Sequence, residues 1–296
     1  MELLKAKTIL SKVKYGQEWY GVDYNINLYK GCSHGCIYCD SRSNCYHIDN
    51  FDVPKGKENA LLILEKELSK KHDHGVVGIG SMSDTYNPLE KEYEQTRGAL
   101  KLLSKYNFGV SIDTKSDLIL RDLDIIKEIN SKNNVIIKFT ITTPSDELSK
   151  IIEPHVCSSS KRFETIKKLS DNGIFVGIMM NPILPFITDA EEDIKLLVKL
   201  AHESGAKFIH TFMGMTLREN QRDYYFEELD KHFKGLKEKY IKYYGQSYNC
   251  AVPNYKSLYK VFTNECDKYK ILYNMKDIIK AYKNEIKDDN EQISLF

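Results

Sequence analysis

The sequence predicts an α/β fold built on a parallel sheet. Two observations predict it. Six short apolar segments alternate with five helical ones over the first 214 residues, the pattern of successive βα units. The polar, unusual residues then fall just after the apolar segments, as they do where a sheet gathers its chemistry at the carboxyl ends of its strands.

Val22, Tyr24, Ile26 and Leu28 alternate with Asp23, Asn25, Asn27 and Tyr29, a period of two that predicts the first strand. That strand delivers the chain to a cysteine loop. Residues 58–71 carry apolar side chains at 61, 62, 64 and 68, a helical spacing, and 76–80 is a short buried strand ending in Ser81-Met82-Ser83-Asp84. Residues 89–106 read as one helix, 108–113 as a strand followed by Thr114-Lys115-Ser116, and 121–131 as a helix. Asp122 there suits a helix N-terminus. Strand 135–142 precedes helix 160–169, which Gly173 closes in a left-handed cap. Strand 174–180 leads to Asn181-Pro182. Helix 188–204 opens on Thr188 with Glu191 three residues on, a capping box, and the sixth strand is 207–213. Right-handed crossovers of such units make either an open doubly wound sheet or a barrel.

Beyond 214 the alternation stops. Residues 223–243 and 257–282 read as helices of a C-terminal extension, 215–286, ahead of a polar tail, 287–296. Residues 1–20 read as peripheral.

The net charge of +1 calls for no polyanionic partner, so any nucleic-acid face must be a local patch. No stretch has the length of a membrane span or of a signal-peptide core, so a cytoplasmic protein is expected. In a reducing compartment, clustered cysteines are ligands before they are disulfides. Of seven cysteines, Cys32, Cys36 and Cys39 stand at C-x3-C-x2-C spacing inside the loop 30–45; Cys45, Cys157, Cys250 and Cys266 are scattered. Three thiolates leave one iron of a four-iron cluster open to a small-molecule ligand, whereas electron-relay clusters take four. A closed zinc site recruiting Cys45 or His34 is the alternative.

This motif, with Tyr38 before the last cysteine, resembles the signature of the radical S-adenosylmethionine (SAM) superfamily. Tyr29-Lys30-Gly31-Cys32, Thr114-Lys115-Ser116 with Arg121 to Asp124, Arg162, and Asn181 to Pro185 with Thr188-Asp189 resemble its spore photoproduct lyase-like branch. The resemblance implies a partial (β/α)6 barrel. It implies a [4Fe-4S] cluster on Cys32, Cys36 and Cys39 whose open iron binds S-adenosylmethionine, and reductive cleavage to a 5′-deoxyadenosyl radical. An electron donor of flavodoxin or ferredoxin type follows. Tyr38, Ser83, Asp84, Lys115 and Thr140 are the implied cofactor-binding residues.

The branch's best-known enzyme acts on a thymine dimer in DNA with a hydrogen-donating cysteine. Here that position is Ser81, whose O–H bond is too strong to quench a carbon radical as a thiol does. Cys157 is a candidate for the missing donor. The substrate reading is DNA or another nucleic acid; a protein or small-molecule substrate, or a metal-stabilised DNA- or clamp-associated module without catalysis, are the alternatives. Two segments favour nucleic acid. Residues 231–260 hold seven Lys and six Tyr against one acid, Glu238, fitting phosphate contacts with base stacking. Gln292-Ile293-Ser294-Leu295-Phe296 resembles the bacterial sliding-clamp-binding pentapeptide.

Overall fold

The computed structural model describes residues 2–14 and 18–284. Its twelve strands are β1 (Leu3–Leu4), β2 (Leu10–Lys12), β3 (Tyr24–Ile26), β4 (Tyr29–Lys30), β5 (Lys55–Lys57), β6 (Val76–Ile79), β7 (Gly109–Thr114), β8 (Val135–Thr140), β9 (Val176–Met180), β10 (Ile209–Thr211), β11 (Gly214–Thr216) and β12 (Asn249–Ala251). The principal sheet runs β10-β9-β8-β7-β6-β3-β2, with six parallel strands and β2 antiparallel at the edge. It is the open, partial (β/α)6 barrel that the resemblance implies. The stretch read as peripheral thus supplies an edge strand. Glu67 explains why it stays there, because its carboxylate accepts from the Ile9 and Leu10 amides at 3.0 and 2.8 Å.

Helices α1 (Ala60–Leu68), α2 (Glu90–Tyr93), α3 (Gln95–Lys105), α4 (Leu123–Lys132), α5 (Asp146–Ile152), α6 (Ser159–Asp171) and α7 (Glu191–Glu203) cross between the strands. Val110 and Ile112 of β7, Ile137 and Phe139 of β8, and Val176 and Ile178 of β9 meet them in one apolar core. Each such fully buried side chain contributes about 1.5–3 kcal/mol.

The alternate residues of these strands face the barrel interior in layers. At the bottom Val76, Ile136, Phe175 and Phe208 pack with Val22, Tyr20 and two residues of the last helix, Ile278 and Tyr282. Above them lies a polar layer. Lys138, 2% exposed, donates to Ser111 Oγ at 2.7 Å and pairs with Asp113 at 3.2 Å. Its ammonium lies 4.4 Å from the Tyr20 ring centroid, and His210 stands edge-on to the same ring.

Several predicted elements differ. The helix read over 89–106 is two helices, broken at Glu94 (φ 47°), because buried Glu90 turns back to accept from the Thr96 and Arg97 amides at the start of α3. Asp122 gives α4 no side-chain cap; it receives Arg97 and Arg121 instead, within a buried network shared with Glu90. The capping box at Thr188 does not form. Thr188 Oγ1 accepts from the Leu184 amide at 2.8 Å, and α7 starts only at Glu191. Gly173 does occupy the left-handed cap of α6, at φ 73°, with the Ile174 amide returning to the Leu169 carbonyl.

After the barrel, each of the two long helices read in the sequence is a pair: α8 (Gln221–His232) with α9 (Leu236–Tyr244), and α10 (Tyr255–Tyr269) with α11 (Met275–Asn284). Gly235 (φ 78°) and Lys270 (φ 56°) make the breaks. An antiparallel pair of β11 and β12, absent from the sequence reading, joins the barrel end to this region. α10 packs on α7, whereas α11 closes the barrel bottom. The pentapeptide Gln292 to Phe296 lies outside the described residues. Among those described, no helix is long and apolar enough to cross a membrane.

Candidate active site

The cysteine loop follows β4, and its path depends on two glycines. At Gly31 (φ +83°) a Cβ would sit 2.7 Å from the Phe51 carbonyl, the same oxygen that accepts from the Cys32 amide. At Gly35 (φ +70°) it would press on Pro154 and His155 at 3.0 Å. The loop is thereby folded tightly against both neighbours.

It roofs a cavity of about 460 Å³ at the carboxyl end of the strands. Cys32, Cys36, Cys39, Tyr38, Ser83, Asp84, Lys115 and Thr140, eight residues singled out in the sequence, all line it. Ser83 Oγ donates to the Gly31 carbonyl at 2.7 Å, tying the loop after β6 to the cysteine loop. Asp84 accepts from Thr114 Oγ1 at 2.7 Å and from the amides of Tyr86 and Lys115 at 2.8 Å each. Its carboxylate therefore knits the ends of β6 and β7 together while bordering the cavity. His34 Nδ1 lies 3.5 Å from it. Burial lowers the His34 pKa despite Asp84, so this is a neutral imidazole contact. Tyr38 donates its buried hydroxyl to Glu153. Thr140 offers its carbonyl to Arg162 at 2.8 Å.

Burial pushes all three loop thiols up, Cys32 to about 11 with help from Asp84. Lys115 opposes this at Cys36 and Cys39. Burial would lower the Lys115 pKa, but Cys36, Glu153, Asp84 and Cys39 outweigh it and keep the ammonium charged. That ammonium lies 5.9 Å from the Tyr38 ring centroid, with no carboxylate within 4 Å among the described residues. A buried, thiol-rich, cation-flanked site favours thiolates only when metal neutralises them.

The donor set, three soft thiols on one cavity, fits an iron–sulfur cluster. Among the described residues, no group of three or more His, Cys, Asp or Glu is arranged around a single metal ion. Cys45, the imagined fourth ligand, is exposed beside Arg218 and Ser43 and does not line the cavity. Cys157 does not line it either; its thiol donates to the Lys115 carbonyl at 3.1 Å, behind the lysine. As a hydrogen donor to a substrate it is badly placed.

The structure adds lining residues that sequence reasoning missed, Trp19, Asp113, Phe212 and Tyr248, and places Asn181, named in the sequence as a strand-end residue, in the same lining. Trp19, Phe212 and Tyr248 are exposed aromatics at its edge. Asp113 was detectable as the last residue of the strand read over 108–113, just before Thr114-Lys115. Trp19 carried no signal, sitting in a stretch without periodicity.

The model of the radical SAM superfamily matches residues 26–201. An uncharacterized protein of Methanocaldococcus jannaschii is 35% identical over 192 residues, 64% of this chain and 69% of that one. One from Mycobacterium tuberculosis is 28% identical over 228 residues, covering 75% and 67%. Among solved structures, spore photoproduct lyase complexed with dinucleoside spore photoproduct superposes with a TM-score of 0.66 at 15% identity, over 90% of this chain and 79% of that one. A variant of that lyase with bound AdoMet gives 0.65 at 14% identity over the same shares. The chain belongs to the radical SAM superfamily and is one of its enzymes, with the fold of spore photoproduct lyase.

Proposed function

We propose that the chain cleaves S-adenosylmethionine reductively at a [4Fe-4S] cluster held by Cys32, Cys36 and Cys39. The observation that carries this reading is the convergence of the three thiols and Lys115 on one cavity at the strand ends. When bound, the cluster and S-adenosylmethionine supply a one-electron reduction of the sulfonium and a 5′-deoxyadenosyl radical. The chain's own part is to hold and to exclude. Lys115 offers its point charge to the cofactor carboxylate. Ser83 and Asp84 fix the strand-end loops around it, Thr140 lines the opposite wall, and Tyr38 presents its ring to the adenine. An electron donor of flavodoxin or ferredoxin type is the implied partner.

For the substrate, the reading is a nucleic acid. Trp19, Phe212 and Tyr248 at the cavity edge are faces on which a base can stack, and Arg218 lies 4.9 Å from the Tyr248 centroid. Tyr243, Tyr255 and Tyr259 are further exposed rings among the lysines of 231–260. The pentapeptide 292–296 is proposed, on its residues alone, as a sliding-clamp docking segment.

Anaerobically purified protein should absorb in the iron–sulfur charge-transfer region and, with dithionite and S-adenosylmethionine, release 5′-deoxyadenosine. Cys32→Ala, Cys36→Ala and Cys39→Ala together should abolish both; a colourless wild-type protein containing zinc would sink the reading. Damaged single- and double-stranded DNA should stimulate turnover, and stimulation only by peptides or small metabolites would move the substrate class. Lys115→Met should keep its iron yet bind S-adenosylmethionine more weakly by about 2 kcal/mol or more, because a buried charge partner is lost. Equilibrium binding to iron-loaded protein measures this, and undiminished affinity would remove Lys115 from the cofactor site.

A further inference from the structure

The cysteine loop rests on the C-terminal end of α5. The Ile37 amide donates to the Ile152 carbonyl at 3.0 Å, and the His155 amide to the His34 carbonyl at 3.1 Å. Between these two bonds lies Glu153, 1% exposed, which receives the Tyr38 hydroxyl. Arg162 Nη2 donates to the same carboxylate at 2.5 Å. Arg162 is itself fully buried and fixed, by the Thr140 carbonyl at 2.8 Å, the Cys157 carbonyl at 2.9 Å and Ser149 Oγ at 3.0 Å. Cys36, Ile37, Tyr38 and Ile152 pack in one buried apolar cluster, so no solvent screens the carboxylate from the loop. Burial pushes Glu153 up, but Arg162, Lys115 and the hydrogen bond from Tyr38 outweigh it and keep the group ionised. Through Tyr38, which stands between Cys36 and Cys39 in the loop, that charge is in direct hydrogen-bond contact with the cysteine loop.

A fixed charge in such a medium acts over several ångströms at a strength that water would erase. Cluster potentials respond to net charge and to solvent exposure. We infer that Glu153 tunes the cluster: its buried negative charge behind Cys36 disfavours the added electron, holds the reduction potential low, and so makes the reduced state a stronger donor to the sulfonium. Tyr38 moderates that charge through its donated proton. The inference rests on the cluster assignment above.

Redox titration of iron-loaded protein without S-adenosylmethionine, followed by electron paramagnetic resonance, tests it. In Glu153→Gln the ratio of reduced to oxidised cluster at a fixed potential should rise about tenfold, a shift of about 59 mV for one electron. In Tyr38→Phe, which keeps the Glu153–Arg162 pair and removes the donated proton, the ratio should fall. Unchanged or opposite shifts at intact iron content overturn the inference. Should Glu153→Gln fail to fold, Tyr38→Phe decides: a lower ratio supports the inference and an unchanged one overturns it. A wild-type protein that shows no cluster signal overturns the cluster assignment instead.

Discussion

Asp113→Asn is expected to destabilise the fold by about 3–5 kcal/mol at neutral pH, the cost of leaving one partner of a buried ion pair alone. The lone partner is Lys138, and among the described residues no other carboxylate lies within 4 Å of it. The loss should depend on pH in a defined direction. Burial already lowers the Lys138 pKa, with Asp113 opposing; removing Asp113 lowers it further. A lysine with a depressed folded pKa binds fewer protons folded than unfolded, so stability rises as pH climbs toward the unfolded lysine value of about 10.4. Tyr20, the ring against this lysine, is pushed well above its ordinary value by burial and Asp113, so it does not titrate first. Urea denaturation at several pH values between about 7 and 10 should show the deficit shrinking. A deficit that stays flat, or that Lys138→Met added to Asp113→Asn fails to relieve, would assign the loss to another cause.

Arg162→Met should be of similar size, about 3–5 kcal/mol, since it strands Glu153 with only Tyr38, a long bond from Ser149 Oγ at 3.4 Å and the Lys115 charge. In the intact protein the folded Glu153 pKa lies below the unfolded value. Its contribution is therefore present above the unfolded pKa and fades as pH falls through the folded one. Without Arg162, burial raises the folded pKa, and protonation then relieves the penalty. The gap between variant and wild type should narrow on acidification from about pH 7 to about pH 5, as read by denaturant midpoints. A gap that widens would mean that Arg162 serves some group other than Glu153. The variant should also load less iron, because the α5 end that carries Glu153 holds the cysteine loop.

What the sequence disclosed was local. Cysteine spacing, strand alternation and the Gly173 cap depend on residues a few positions apart, and each reappears in the fold. Three misreadings share one cause, which is a polar side chain bonded to something other than the helix start the pattern assigned to it. Thr188 was recruited by a loop four residues back, Asp122 by two arginines, and Glu90 by the next helix start. Strand residue Lys138 looked like any exposed lysine, because nothing nearby in sequence shows that its strand faces a barrel interior. Glu153 was invisible for the same reason: its partners Tyr38 and Arg162 come from other elements. The antiparallel pair of β11 and β12 escaped because two helices separate its strands.

The bottom of the barrel has a consequence for how the chain is made. Tyr20 has φ 49°, and its carbonyl accepts from the Tyr282 hydroxyl at 2.5 Å while its amide meets the Met275 sulfur at 3.3 Å. Ile278 and Tyr282 complete the apolar layer beneath the Lys138 pair. During synthesis the amino-terminal part emerges first, so all six parallel strands leave the ribosome before their floor exists. The nascent barrel must wait, with its lysine–aspartate layer open to water from below, until α11 arrives. The last helix is thus a stopper, and the barrel can dry out and lock only once translation has reached it.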